Sequence, residues 1–274
     1  MTDTHRPDAH ERDAHGTFVW YELLSSDPDA AQRFYADVLG WAFEDSGHAD
    51  MDYHYFRAPD GDGIGGLMRR TDGMPGGSSW LGYIAVDDVD AAIERIEANG
   101  GQVHMPAKDV PQVGRIAMVA DGQGGSFYLM RGASSQLSRS FVGPEQATPG
   151  HAVWNELSSP DTARAVDFYA ATLDWRQEGS MPLGERGDYL FMHAGAIGVG
   201  GFMGGTPTDP PDGWTHYFLV ADLDEAIDRI AAGGGKLVNG PDEIPGGDFS
   251  IGALDPQGAR FGLVGPSART SSTA

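Results

Sequence analysis

The chain states one sequence twice. VWYELLSSDPDAAQRFYADVLGW starts at Val19, and VWNELSSPDTARAVDFYAATLDW starts at Val153, 134 residues later. The same offset carries Trp20 to Trp154, Glu22 to Glu156, Phe34-Tyr35 to Phe168-Tyr169 and Trp41 to Trp175. It also carries YIAVDDVDAAIERI at Tyr83 onto YFLVADLDEAIDRI at Tyr217, and DGQG at Asp121 onto DPQG at Asp255. A register held over this length makes the protein two copies of one domain. The expected boundaries are 16–132 and 149–265, joined by a polar linker over 133–148. The tails are 1–15 and 266–274. The first of them is acidic, carries His5, His10 and His15, and is expected to be disordered.

Each copy divides again. Residues 18–24 alternate as a strand, with Trp20, Glu22 and Leu24 on one face and Val19, Tyr21 and Leu23 on the other. Asp27 followed by Pro28 is a helix start, Ala31, Phe34, Val38 and Leu39 form its apolar stripe, and Gly40 ends it. Strands follow at YHYFRAP and GIGGLMRR, and then the pattern restarts with WLGYIAV, an Asp-capped helix DVDAAIERIEANGG, and strands QVHMP, GRIAMVA and GSFYLMR. The expectation is an α+β protein of tandem βαβββ modules, four in all. Two modules side by side make one curved mixed sheet, with helices outside it and a concave inner face for ligands.

Composition sets limits. The net charge of −22 opposes nucleic acid and anionic membrane surfaces, which require clustered Lys and Arg. No apolar run is long enough to span a bilayer and the N-terminal segment lacks a signal-peptide core, so a cytoplasmic protein is expected. The absence of cysteine removes disulfides, thiolate metal sites and cysteine nucleophiles. No cofactor motif is present; the expected partner is a small molecule, and the expected state is a monomer or homodimer.

The order strand, D-P-x-x-A-x-x-F-Y, L-G-W, then Asp-x-x-x-A, G-G and a closing D-P-x-G-x-x-F-x-L resembles the vicinal oxygen chelate superfamily. That group includes glyoxalase I, extradiol dioxygenases, fosfomycin-resistance enzymes and bleomycin-binding proteins; the W-x-E-L opening is most similar to its two-domain glyoxalase-related branch. The resemblance implies four metal ligands per groove, His, Gln or Glu, one from the first and one from the last strand of each module. Here those positions hold Trp20, Leu81, Tyr128 and the Gly65-Gly66 pair in the first copy. In the second they hold Trp154, Thr215, Gly262 and the Gly200-Gly201 pair. None is a usual ligand for a divalent ion, so no metal site is expected there.

What remains is an organic pocket. Glu22 and Glu156 share a strand face with the corner positions; a carboxyl in an apolar groove has a raised pKa and suits general acid or base work. Arg115 is the expected partner of Glu22, and Arg115 or Tyr128 the expected holder of an oxyanion. Phe249 replaces Arg115 in the second copy, making the first groove the expected polar one. Trp20, Tyr83, Trp154 and Tyr217 would add aromatic walls, and Met68, Met118, Met130 and Met203 adaptable ones. His216 should face away from the groove, and His54 or His193 could pair with Glu22 or Glu156 around a metal. The expected function is proton-transfer chemistry of isomerase, lyase or cyclase type on a small, aromatic or apolar molecule. The alternatives are a non-catalytic small-molecule or antibiotic binder, and a metal-dependent glyoxalase or dioxygenase with atypical ligands.

Overall fold

Each α-helix of the described residues starts at an aspartate whose carboxylate accepts a backbone N–H three residues on: Asp27, Asp88, Asp161 and Asp222. These cap α1 (Pro28–Leu39), α2 (Val89–Ala98), α3 (Thr162–Leu173) and α4 (Leu223–Ala232). The computed structural model describes residues 13–47, 51–71, 74, 76–143, 146–205 and 213–268, apart from the side chain of residue 185. The tail positions His5 and His10 lie outside them. His15 does not: its ring sits 3.5 Å from Asp174 in the other copy, so the tail is placed from residue 13 onward.

The first copy contains β1 (Phe18–Ser25), β2 (Ala42–Asp45), β3 (Tyr53–Arg57), β4 (Gly63–Arg69), β5 (Ser79–Ala85), β6 (Gln102–Val110), β7 (Gly114–Ala120) and β8 (Ser126–Gly132). They form one eight-stranded sheet in the order β2-β3-β4-β1-β5-β8-β7-β6. The second copy repeats this with β9 (Ala152–Ser159), β10 (Trp175–Pro182), β11 (Asp188–Ala194), β12 (Ile197–Gly204), β13 (Trp214–Leu219), β14 (Lys236–Glu243), β15 (Phe249–Leu254) and β16 (Arg260–Gly265). Modules therefore pair within a copy, through antiparallel β1–β5 and β9–β13.

The helices cover the convex face of each sheet, and those faces are turned toward each other. Phe18, Tyr21, Phe34, Tyr35, Trp41 and Trp80 share one continuous core with Tyr169, Trp175, Trp214, Phe218 and Phe261. Polar ties run both ways across this interior. Tyr35 donates to Asp255 at 3.2 Å and Tyr169 to Asp121 at 3.2 Å, while Trp41 Nε1 donates to Gly150 O and Trp175 Nε1 to Gly16 O. The repeated F-Y, W and D-x-Q-G motifs thus fasten one copy to the other. Both concave faces point outward. No helix of the described residues is long and apolar enough to cross a membrane.

Candidate active site

Alternation along β1 sends Trp20, Glu22 and Leu24 to the concave face, and Tyr21 and Leu23 to the core; Val19, expected with the latter, packs on the groove side instead, where the pairing register shifts between Phe18 and Trp20. Antiparallel register then sets Tyr83 of β5 opposite Trp20, and Leu81 opposite Glu22. The Tyr83 hydroxyl donates to Glu22 Oε2 at 2.9 Å. Tyr128 stacks on Tyr83 with ring centroids 4.2 Å apart and planes 11° from parallel. Trp20 Nε1 donates to the Tyr53 hydroxyl at 3.3 Å. Glu22 is only 4% exposed. Burial pushes its carboxyl up to about 7, although the hydroxyls of Tyr83, Tyr53 and Tyr128 and the Lys108 charge all oppose that rise. The result is an acid poised to hold or release a proton near neutrality.

The second groove repeats the central motif. Tyr217 donates to Glu156 at 3.1 Å, and Trp154 Nε1 donates to Tyr189 at 2.6 Å. Burial raises the Glu156 carboxyl as well, against the Tyr217 and Tyr189 hydroxyls and the charges of Arg260 and Arg186. Sequence reasoning missed Tyr53 and Tyr189. Each fills the space above a glycine on the neighbouring strand: a Cβ at Gly66 would overlap the Tyr53 hydroxyl, and one at Gly201 the Tyr189 ring. In the second groove Tyr217 likewise lies over Gly262.

These contacts decide what the four corners can hold. Parallel registers join Glu22 to Gly66 and Tyr83 to Tyr128, so the corners of the first groove are Trp20, Gly66, Leu81 and Tyr128. Indole, bare backbone, an isobutyl group and a phenol are not a divalent-cation donor set. A metal does not fit there. Trp154, Gly201, Thr215 and Gly262 fit no better. Nor do the histidines supply a new centre with the acids. His54 lies 3.0 Å from Asp52, on the face of β3 opposite to Tyr53 and Tyr55, and His193 stands beside Gly198. His216 does face away from the groove, 2.8 Å from Asn155 Oδ1, with its basicity held down to about 3 by burial. Among the described residues, one group of three ligand-type side chains converges, Asp60, Asp62 and His151, and neither Glu22 nor Glu156 belongs to it.

Arg115 is a correction. It forks onto Asp90 of α2 at 2.7 and 2.8 Å and also pairs with Asp109, on the helix-covered side of the sheet. The alternation that puts Ile116 and Met118 into the groove puts Arg115 on the opposite face. It cannot partner Glu22 or hold an oxyanion there. Met68, Met118 and Met130 do pair with groove-side neighbours, as does the buried Met203. Charged side chains act on both acids: Lys108 on Glu22, and Arg260 and Arg186 on Glu156.

The linker adds a wall that the sequence did not announce. Ser138 Oγ donates to Val19 O at 2.6 Å and Ser140 Oγ to Gly63 O at 3.1 Å. Arg139 pairs with Asp62, and its carbonyl lies 2.6 Å from His151 Nδ1; His151 Nε2 is 2.9 Å from Asp60. Partial burial alone would raise Asp60, but Thr148, the Asp62 amide and His151 outweigh it and hold the carboxyl at about 2. Between this strap and the sheet lies a cavity of about 520 Å³, lined by Trp20, Met130, Gly63, Leu137 and Ser138 among others. It ends at Trp20, one same-face step (roughly 6–7 Å) short of Glu22.

Comparison with known proteins gives a consistent placement. The model of the Glyoxalase/Bleomycin resistance protein/Dioxygenase superfamily matches residues 17–127 and again 148–263. The chain is 33% identical over 255 residues to CFP32 of Mycobacterium tuberculosis, provisionally named a glyoxylase, covering 92% of this chain and 95% of the relative. It is 31% identical to the anthracycline biosynthesis protein DnrV of Streptomyces peucetius, covering 92% and 94%. Its fold is similar to that of a Mn(II)-bound glyoxalase from Novosphingobium aromaticivorans, with a TM-score of 0.65 and 19% identity, covering 92% of this chain and 82% of the other.

Proposed function

We propose a function from one premise, that this chain belongs to the Glyoxalase/Bleomycin resistance protein/Dioxygenase superfamily. Its first groove takes a small, planar, largely apolar molecule bearing a carbonyl, and Glu22 moves a proton on it without a divalent ion at the corners. The observation that carries this reading is Glu22 itself, a buried carboxyl near neutrality, ringed by Tyr53, Tyr83 and Tyr128. As carboxylate, Glu22 takes a proton from the carbon beside the carbonyl. The electron pair of that C–H bond becomes a C=C bond to the carbonyl carbon, and the carbonyl π pair moves to its oxygen, where a tyrosine hydroxyl donates to the developing charge. Protonated Glu22 then returns its proton to another carbon or to the enolate oxygen, an isomerase step; in a lyase step the enolate expels a β-substituent that takes this proton, and in a cyclase step the enolate carbon bonds to a second carbonyl carbon whose oxygen takes it. The cavity volume falls in the range of drug-sized ligands. Trp20 and the methionines favour an aromatic face. Two relatives named for anthracycline biosynthesis support a polycyclic ketone as the class.

A second reading, a non-catalytic binder of such molecules, draws on one fact: the cavity stops at Trp20 rather than at Glu22. One experiment separates them. 1-Tetralone is incubated with protein in D2O, deuterium uptake beside the carbonyl is followed by NMR, and binding by Trp20-dependent fluorescence. The proton-transfer reading expects accelerated exchange that falls on the order of a hundredfold or more in Glu22→Gln while binding persists. Binding without exchange selects the binder. Neither binding nor exchange, with tetralone or a hydroxyanthraquinone, removes both.

A further inference from the structure

The two grooves share a centre and differ around it. At the 134-residue offset, Leu24 becomes Ser158, Leu81 becomes Thr215, Met105 becomes Asn239, Met118 becomes Gly252, Ser126 becomes Arg260 and Tyr128 becomes Gly262. All of these stand on the concave face, because their strand partners do. Gly201 pairs with Glu156, Glu156 with Thr215, Tyr217 with Gly262, and Gly262 with Gly252, which in turn pairs with Asn239. Continuing the parallel β13–β16 register by two residues sets Thr215 beside Arg260. One row across the second groove therefore reads Gly201, Glu156, Thr215, Arg260. The matching row in the first groove reads Gly66, Glu22, Leu81, Ser126.

Arg260 is the group that this row cannot explain as packing. Its Nε is buried and has no hydrogen-bond partner among the described residues. Its Nη2 has only a long contact to Asn239 Oδ1, at 3.4 Å, and lies over Gly252, which leaves it room. The Nε–Nη2 edge of a guanidinium is the fork that meets a carboxylate through two parallel hydrogen bonds. Glu156 lies near enough for the Arg260 charge to act on it, yet burial still drives that carboxyl toward its protonated form. Among the described residues the guanidinium makes no ion pair; its one hydrogen-bond contact is the long one to Asn239. Trp154 and Tyr217 line the same face with indole and phenol.

We propose that the second groove is a separate binding site for a small organic monoanion, an aromatic carboxylate. Its carboxylate meets the Nε–Nη2 edge of Arg260 beside Asn239, and its ring lies against Trp154 and Tyr217. The single charge follows from the surroundings: a chain with a net charge of −22 repels dianions more strongly than monoanions. This site is independent of the first groove and of what happens there.

The test uses the full chain with benzoate as probe and benzyl alcohol as its uncharged counterpart. Calorimetry is expected to show one benzoate site, benzyl alcohol at least tenfold weaker, and affinity that drops as salt rises. Arg260→Ser, which installs the first groove's residue, is expected to weaken benzoate at least tenfold. Arg260→Lys, which keeps charge without the fork, should fall between. Tetralone binding at the first groove should stay unchanged in both. A benzoate-soaked crystal is expected to place the carboxylate at Arg260, and Asn239→Ala gives a second handle if an Arg260 variant folds poorly. No benzoate binding by the wild type, equal binding by Arg260→Ser, or loss of benzoate on Trp20→Phe instead, would overturn the proposal. The outcome for tetralone is read separately, so failure here leaves the first-groove reading standing, and the reverse.

Discussion

Glu22 makes the sharpest residue-scale claim, because its environment fixes a sign. Its folded-state pKa of about 7 lies above the ordinary 4.5. Between those values the folded chain holds a proton that the unfolded chain has released, so stability falls as pH rises through that window and levels off above it. The penalty at pH 8 is on the order of 3 kcal/mol. Glu22→Gln, which cannot ionise, should be flat there and should melt higher than wild type at pH 8 but not at pH 4. Thermal melts at those two pH values check it; a wild type whose stability climbs from pH 5 to pH 7 would remove the buried-acid picture. The alternation of β1 made this acid legible in the sequence. The same rule applied to β7 would have kept Arg115 out of the groove, since Met118 and Arg115 differ by an odd number of residues.

At the scale of elements, the grooves depend on glycines that yield their space to a neighbour's ring. Gly66 on β4 makes room for Tyr53 from β3, and Gly201 on β12 for Tyr189 from β11. Gly66→Ala must push the Tyr53 ring aside, an overpacking change expected to cost about 1–3 kcal/mol. It should also remove one of the hydroxyls that hold Glu22 down. Chemical denaturation reads the first effect, and an upward move of the Glu22 titration by NMR reads the second. A neutral Gly66→Ala with an unmoved Glu22 would mean that Tyr53 is not held there. These tyrosines were hard to see in the sequence. The repeat loses its constant offset between the first helix and the fourth strand: Gly66 and Gly201 are 135 residues apart, and Tyr53 and Tyr189 are 136. The strap over 134–140 was equally hidden. Its serines bind backbone carbonyls of β1 and β4, and such contacts leave no side-chain pattern to read.

For the whole molecule, the consequence is mutual dependence of the copies. Phe18 packs edge-on to Trp214, Tyr21 and Trp41 to Phe218, and Phe34 to Phe261, each pair drawn from opposite copies. Tyr21 also donates to Asn155 in the fully buried interior. Residues 13–132 expressed alone would leave this aromatic face and its polar groups uncovered, a far larger apolar patch than soluble monomers tolerate. The isolated segment is expected to aggregate or to pair with itself, shown by light scattering on a sizing column, and to lack a cooperative monomeric melt. A monodisperse, cooperatively melting half would show that each copy closes its own core.

The sequence by itself determined the repeat, the two-module plan of each copy, the capped helices and the presence of a carboxyl on each concave face. Periodicity and register are local properties, written residue by residue along the chain. Only the tertiary structure decided which rings surround each acid, which face Arg115 takes, where the linker crosses, and that a guanidinium, Arg260, stands in the second groove where the first has Ser126. Those facts depend on strands and loops far apart in sequence meeting at distances of a few ångströms, and no one-dimensional pattern encodes such a meeting.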